Sequence, residues 1–124
     1  MNFRAARGKR AHASGLDAEA SAMAALEADG WRILARRVRT PAGEIDAAAE
    51  KDGLLAIVEV KHRPTLAGAA AAIGHRQQAR LMQAAQVLLA ANPDWGAQGV
   101  RFDVLVVDAV GAVRRIADAF RLEE

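Results

Sequence analysis

Patterns in the sequence predict an α/β protein, a mixed β-sheet flanked by helices in the order α-β-β-β-α-β-β. Residues 43–63 read GEIDAAAEKDGLLAIVEVKHR, two apolar-rich runs around Asp52-Gly53, and Asp-Gly in that setting favours a two-residue hairpin turn. A helical period follows, with Ile73, Leu81, Ala84, Ala85 and Leu88 on one stripe. After it, residues 100–108 read VRFDVLVVD, a strongly β-prone run. A long helical crossover between central strands makes those strands parallel neighbours, so the sheet must be mixed.

Taken in order, residues 1–13 read as a flexible basic arm and 14–124 as a single domain, a size suited to one core. The opening MNFRAARGKRAHASG is basic but has no apolar core, unlike a secretory signal. No uncharged apolar run is long enough to span a bilayer, and a cytoplasmic protein with no membrane partner is expected. Ser14 or Asp17 can cap a helix running to about Asp29, with Gly30 as its stop. Leu16, Ala20, Met23, Leu26 and Glu27 lie near one stripe, and Glu19 points along it. Trp31 to Arg39 reads as a strand with a bulge near Arg36-Arg37, and Thr40-Pro41-Ala42-Gly43 as a turn. The hairpin ends at His62-Arg63-Pro64, because proline cannot donate to a ladder. The second helix takes over by about Ala72 and runs to about Ala91, with Gln77 on its apolar stripe. Asn92-Pro93 closes it, and Trp95 covers an edge of the core. Gly111 turns the chain, Val113 to Ala117 pairs back as a short strand, and Phe120 and Leu122 anchor the tail. Hydrophobic residues are 52% of the chain, many of them alanine, so the core relies on close helix–sheet approach.

Chemistry concentrates in the hairpin. If Lys51 faces Leu54 across the turn, Asp46 falls opposite Glu59 and Glu44 opposite Lys61. Alternation then puts Glu44, Asp46, Glu59 and Lys61 on one face, and Ile45, Ala47, Val58 and Val60 on the other. Like charges across a ladder are destabilising. A divalent cation such as Mg²⁺ would remove the conflict, since it prefers carboxylate oxygens and keeps positions for water and phosphate. A solvated outer face, with Lys61 balancing the acids, is the alternative.

The absence of cysteine excludes disulfides, a thiol nucleophile and a Cys-ligated zinc site. Net charge is only +2, yet arginines cluster at 4–10, 32–39 and 114–121. Basic clusters beside carboxylates suit a polyanion that is bound and cut with a metal.

Asp46 followed by Glu59-Val60-Lys61 has the D…ExK pattern of the PD-(D/E)XK nuclease superfamily. With Gly15, Glu19, Leu26, Gly30-Trp31-Arg32-Ile33-Leu34, Arg39, Gly43-Glu44-Ile45-Asp46, Val58 to Arg63, Arg80-Leu81 and Arg101-Phe102-Asp103-Val104, it resembles the YraN-like family of small bacterial proteins. The resemblance covers about residues 8–108. That family is regarded as similar to archaeal Holliday-junction resolvases, which implies a restriction-endonuclease-like fold and a DNA endonuclease using Mg²⁺ or Mn²⁺. By position it implies that Asp46 and Glu59 hold the metal, that Lys61 activates or positions the attacking water, and that Glu19 is the extra acid from the first helix. Gln77 stands where lysine is common, which keeps a hydrogen-bonding group but loses a charge. Ala18 stands where glycine is usual, and Ala47-Ala48-Ala49 replaces a bulkier apolar run.

These observations set the catalytic candidates as Asp46, Glu59, Lys61, Glu19 and Gln77, with Asp46, Glu59 and Glu19 as metal ligands. Arg36, Arg37, Arg39, His62, Arg63, Arg76 and Arg80 are the candidate nucleic-acid contacts, and Glu44 stands behind the metal ligands or in a phosphate-binding loop rather than serving as a ligand itself. The partner would be DNA, branched DNA included, and junction resolution would need paired sites, hence a homodimer. RNA stays open as a substrate. So do two rival classes, a non-catalytic nucleic-acid-binding module and a protein-interaction domain.

Overall fold

A computed structural model describes residues 18–67 and 73–120. The expected basic arm at 1–13, the caps Ser14 and Asp17, Leu16, Ala72 and Leu122 lie outside the described residues. Helix α1 is described over 18–28. It is followed by β1 (Arg32–Thr40), β2 (Gly43–Lys51), β3 (Leu54–His62), helix α2 (His75–Ala91), β4 (Gly99–Val107) and β5 (Val113–Phe120). The strands form one sheet in the order β1-β2-β3-β4-β5. Only β3 and β4 are parallel, joined by the α2 crossover, while the other neighbours are antiparallel. This is the predicted mixed sheet. Among the described residues no helix is long and apolar enough to cross a membrane.

The hairpin turn forms as its sequence dictates. Asp52 (φ 52°) and Gly53 (φ 79°) both adopt left-handed backbone, the geometry a two-residue turn needs to match strand twist. The register runs as expected from Lys51↔Leu54 to Ala47↔Val58 and stops there.

The helices sit on opposite faces. Ala18, Ala22, Met23 and Leu26 of α1 pack with Trp31, Ala47, Ala49, Ala56, Val58, Leu105 and Val107. Leu81, Ala84, Ala85 and Leu88 of α2 pack with Ile45, Ala48, Leu55, Ile57 and Phe102, and Trp95 covers the edge of this cluster. Ala47, Ala48, Ala49 and Ala56 are fully buried, so the middle of the sheet presents methyl groups to both helices.

Four expectations need correction. On α1, Ala20 and Glu27 are exposed while Ala18 and Ala22 are buried, because alanine is too small to mark a helix face by itself. In β1 the register shifts between Ile33 and Ala35 rather than at Arg36-Arg37, although Arg37 is left-handed (φ 52°). Ile73 precedes α2, which starts at His75 behind the N-cap Gly74. Finally, β5 extends past Ala117, since Phe120 stacks on Phe102 with ring centroids 4.7 Å apart and Asp103 Oδ1 takes the Asp118 N–H at 2.9 Å.

Asp103 is the buried polar centre of the β4–β5 side, 1% exposed. Its Oδ2 accepts from Arg101 Nη2 and Arg115 Nε, each at 3.0 Å. The two guanidinium groups also lie over the Trp31 ring, 4.7 and 4.9 Å from its centroid. Arg115 further donates to Asp29 Oδ2 at 2.7 Å. The C-terminal arginine cluster therefore commits Arg115 to the fold instead of to a polyanion.

Candidate active site

The site forms where β2 and β3 part. Asp46 does not continue the ladder. Its Oδ2 accepts the Val60 N–H at 2.7 Å, so a side-chain carboxylate uses a donor on β3 that faces it. Alternation breaks with it. Ala47 packs on the α1 side, yet Ile45 packs on the α2 side with Val38 and Ala48. The expected grouping of Ile45 with Ala47, Val58 and Val60 is thereby corrected. The next pair outward, Arg39↔Glu44, turns to the opposite face from Val38 and Ile45. Glu44 is thus neither opposite Lys61 nor on the face of Glu59. It is exposed and stands 3.9 Å from Arg39.

Glu59 lies on the α2 side at 5% exposure. Its carboxyl shares a hydrogen bond with Asp46 and accepts one from Gln77 Nε2. Lys61 Nζ is 3.6 Å and Arg80 Nη2 3.5 Å from Glu59 Oε2. Burial above all, then the Asp46 hydrogen bond and the Asp46 charge, raises the Glu59 pKa to about 8, against the opposing pull of Lys61 and Arg80. Glu59 therefore holds a proton near neutrality. Two adjacent carboxyls that cannot both ionise cheaply are a mark of functional sites.

Gln77 and Arg80 reach Glu59 from one side of α2 because residues three apart share a helix face. Arg80 is also held by the β1–β2 corner, where Nη1 donates to the Glu44 carbonyl at 3.2 Å. Gly43 (φ 134°) makes room for it, because a Cβ there would stand 2.5 Å from Arg80 Nη1. Beside this group opens a cavity of about 450 Å³ lined by Gly74, Arg76, Gln77 and Arg80.

The sequence candidates divide accordingly. Asp46, Glu59, Lys61 and Gln77 come together, with Arg80 touching Glu59 directly, a contact that the Gln77–Arg80 spacing could have signalled. Glu19 is held elsewhere: its Oε2 accepts from Arg37 Nη2 at 2.9 Å. Among the described residues no three acidic or histidine side chains stand together as a metal-binding group. Arg36, Arg39, His62, Arg63 and Arg76 are exposed, with Arg63 Nη1 donating to the His62 carbonyl at 2.8 Å. A second cavity, about 480 Å³, lies by the hairpin turn among Asp29, Trp31, Lys51, Arg101 and Arg115. Several of its charges already pair with one another or with Asp103.

Comparison with known proteins matches the sequence to one family. The family model described as "Uncharacterised protein family UPF0102" matches residues 18–107. A UPF0102 protein of Granulibacter bethesdensis is 64% identical over 118 residues, covering 95% of this chain and 75% of that protein. One from Azorhizobium caulinodans is 45% identical over 117 residues, covering 94% and 89%. One from a Bradyrhizobium species is 50% identical over 107 residues, covering 86% and 76%.

Proposed function

We propose, from the premise that the chain belongs to the UPF0102 (YraN-like) family, that it is a cytoplasmic, metal-dependent endonuclease of the PD-(D/E)XK type acting on DNA, branched DNA included. The observation that carries this reading is the carboxyl pair of part-buried Asp46 and buried Glu59, with Lys61 beside Glu59 and a cavity lined by Arg76, Gln77 and Arg80 next to it.

The donor set suits Mg²⁺ or Mn²⁺, which take one or two carboxylates, several waters and substrate phosphate oxygens. The raised Glu59 pKa fits too: burial and the neighbouring Asp46 hold the proton on, against Lys61 and Arg80, and a divalent ion would favour the anionic form. Asp46 and Glu59 would be the protein's ligands, and Glu19 would join them only by leaving Arg37. A divalent ion there would polarise a phosphoryl oxygen and lower the pKa of a bound water.

The rest is done by the chain. The Val60 N–H fixes the Asp46 carboxylate, and Glu59 would serve as the second ligand after releasing its proton to solvent. Gln77 holds the Glu59 carboxyl in place. Lys61, on the same face, positions the attacking water and stabilises negative charge developing on phosphorus-bound oxygens. Arg76 and Arg80 hold a neighbouring phosphate in the cavity, while Arg36, Arg39, His62 and Arg63 follow the backbone outward. Such contacts orient the strand with little base discrimination and make binding strongly salt-dependent. A homodimer accompanies this reading where the substrate is a four-way junction, since resolution needs two cuts.

Incubation with end-labelled duplex, four-way-junction and RNA substrates in Mn²⁺ tests the proposal. Cleavage of DNA by the wild type, and its loss in Asp46→Ala, is expected. No cleavage of any substrate, or equal cleavage by the variant, refutes it. A second reading, a nucleic-acid-binding module that does not cut, draws on the neutral Gln77 capping Glu59 where the family resemblance leads one to expect lysine. It predicts salt-sensitive DNA binding with no metal requirement and no product.

A further inference from the structure

Arg80 occupies a position that the cleavage chemistry alone does not explain. Its guanidinium stands between two places that a polyanion-cutting site must fill: the Glu59 carboxyl, 3.5 Å from Nη2, and the cavity of about 450 Å³ that it lines with Gly74, Arg76 and Gln77. Two features hold the arm without using the Glu59 contact. Nη1 donates to the Glu44 carbonyl at 3.2 Å. The aliphatic stem lies over Gly43, where a Cβ would come within 3.0–3.2 Å of Cδ and Cγ. The side chain is 35% exposed, so Nη2 can swing from Glu59 toward the cavity while Nη1 keeps the Glu44 carbonyl and the stem stays over Gly43.

We propose that Arg80 is the resident counter-ion of the carboxyl pair in the metal-free protein, and that a divalent ion on Asp46 and Glu59 releases its guanidinium to a DNA phosphate in the cavity. This rests on the metal-site reading above. The physics is like-charge repulsion at close range: the carboxyl pair, sharing one hydrogen bond, holds Nη2 beside it, and a dication on its oxygens would repel that guanidinium. Arg80 then competes with the metal while the protein is free and cooperates with it once DNA is present. Lys61, 3.6 Å from the same oxygen, is shared between the two states and does not provide the exchange, because the proposed reaction assigns it to the water and the reacting phosphate. Since coupling between two ligands is reciprocal, metal should tighten DNA binding by the same factor that DNA tightens metal binding.

Calorimetric titration of MnCl₂ into wild type, Arg80→Gln, Arg80→Lys and Asp46→Ala, together with anisotropy of a labelled duplex with and without Ca²⁺, tests the exchange without any turnover. Arg80→Gln should bind Mn²⁺ about five- to tenfold tighter than wild type in the absence of DNA, and should lose most of a similar-sized gain in DNA affinity that Ca²⁺ gives the wild type. Arg80→Lys should stay close to wild type in Mn²⁺ affinity. Mn²⁺ binding by Arg80→Gln that is unchanged or weaker, while Asp46→Ala abolishes it in an otherwise wild-type chain, overturns the role of Arg80 and leaves the metal site standing. No Mn²⁺ binding by the wild type, or binding that Asp46→Ala does not affect, overturns both.

Discussion

Glu59→Gln is expected to abolish metal-dependent cleavage and, above pH 8, to make the protein more stable. The two effects have one cause. Glutamine reproduces the protonated carboxyl: its amide can donate to Asp46 while its oxygen accepts from Gln77, which keeps the metal-free hydrogen bonds. It cannot become an anionic ligand, so cleavage should fall about 100-fold or more, as when a group that stabilises transition-state charge is removed. The stability effect follows from linkage. The Glu59 pKa is about 8 in the folded chain against an ordinary value of 4.5. Between those values the folded state keeps a proton that the unfolded state has released, so stability must fall as pH rises through that window. The decline is on the order of 1.4 kcal/mol per pH unit at most. Glu59→Gln removes this titration. Its melting temperature should stay nearly level across the window and exceed that of the wild type by about 5 °C or more above pH 8. Thermal melts of both proteins from pH 4 to pH 9 in EDTA provide the check. Parallel curves would show that Glu59 ionises normally and that the carboxyl pair is not under strain.

Asp103→Ala should cost more stability than any substitution in the candidate site. Asp103 is 1% exposed and gathers Arg101, Arg115 and the Asp118 N–H. Removing it leaves two guanidinium groups without their shared anion, and breaking a buried ion pair in this way costs about 3–5 kcal/mol. That is a large fraction of the roughly 5–15 kcal/mol of a typical domain, and a drop in melting temperature beyond about 10 °C is expected. Both arginines cover Trp31, so its fluorescence should change as well. Adding Arg115→Met should recover part of the loss, because fewer unpaired charges remain. A melting temperature within about 3 °C of wild type would show that the network contributes little.

What the sequence made legible was local. Asp52-Gly53 fixed the hairpin register through backbone geometry that only a few residues adopt readily, and the stripe of Leu81, Ala84, Ala85 and Leu88 marked the buried face of α2. What it hid depends on distant partners. Nothing in the identity of Asp46 announces that its carboxylate will take the Val60 N–H, yet that one bond turns Glu44 and Ile45 to faces opposite to those that strict alternation predicts. Arg37, Arg80 and Arg115 look alike in the sequence. The fold ties the first to Glu19, the second to Glu44 and Glu59, and the third to Asp103 and Asp29. The alanine-rich α1 and β2 gave little facing information because a methyl group fits either side.

The claim on which the function depends is that the Asp46–Glu59 pair takes a divalent ion. Calorimetric titration of MnCl₂ at pH 7 in two buffers of different ionisation enthalpy tests it most directly. With the Glu59 pKa raised to about 8, binding should release close to one proton per ion and tighten as pH rises, and Asp46→Ala should abolish it. Absence of binding, or binding that releases no proton and survives Asp46→Ala, would contradict the account.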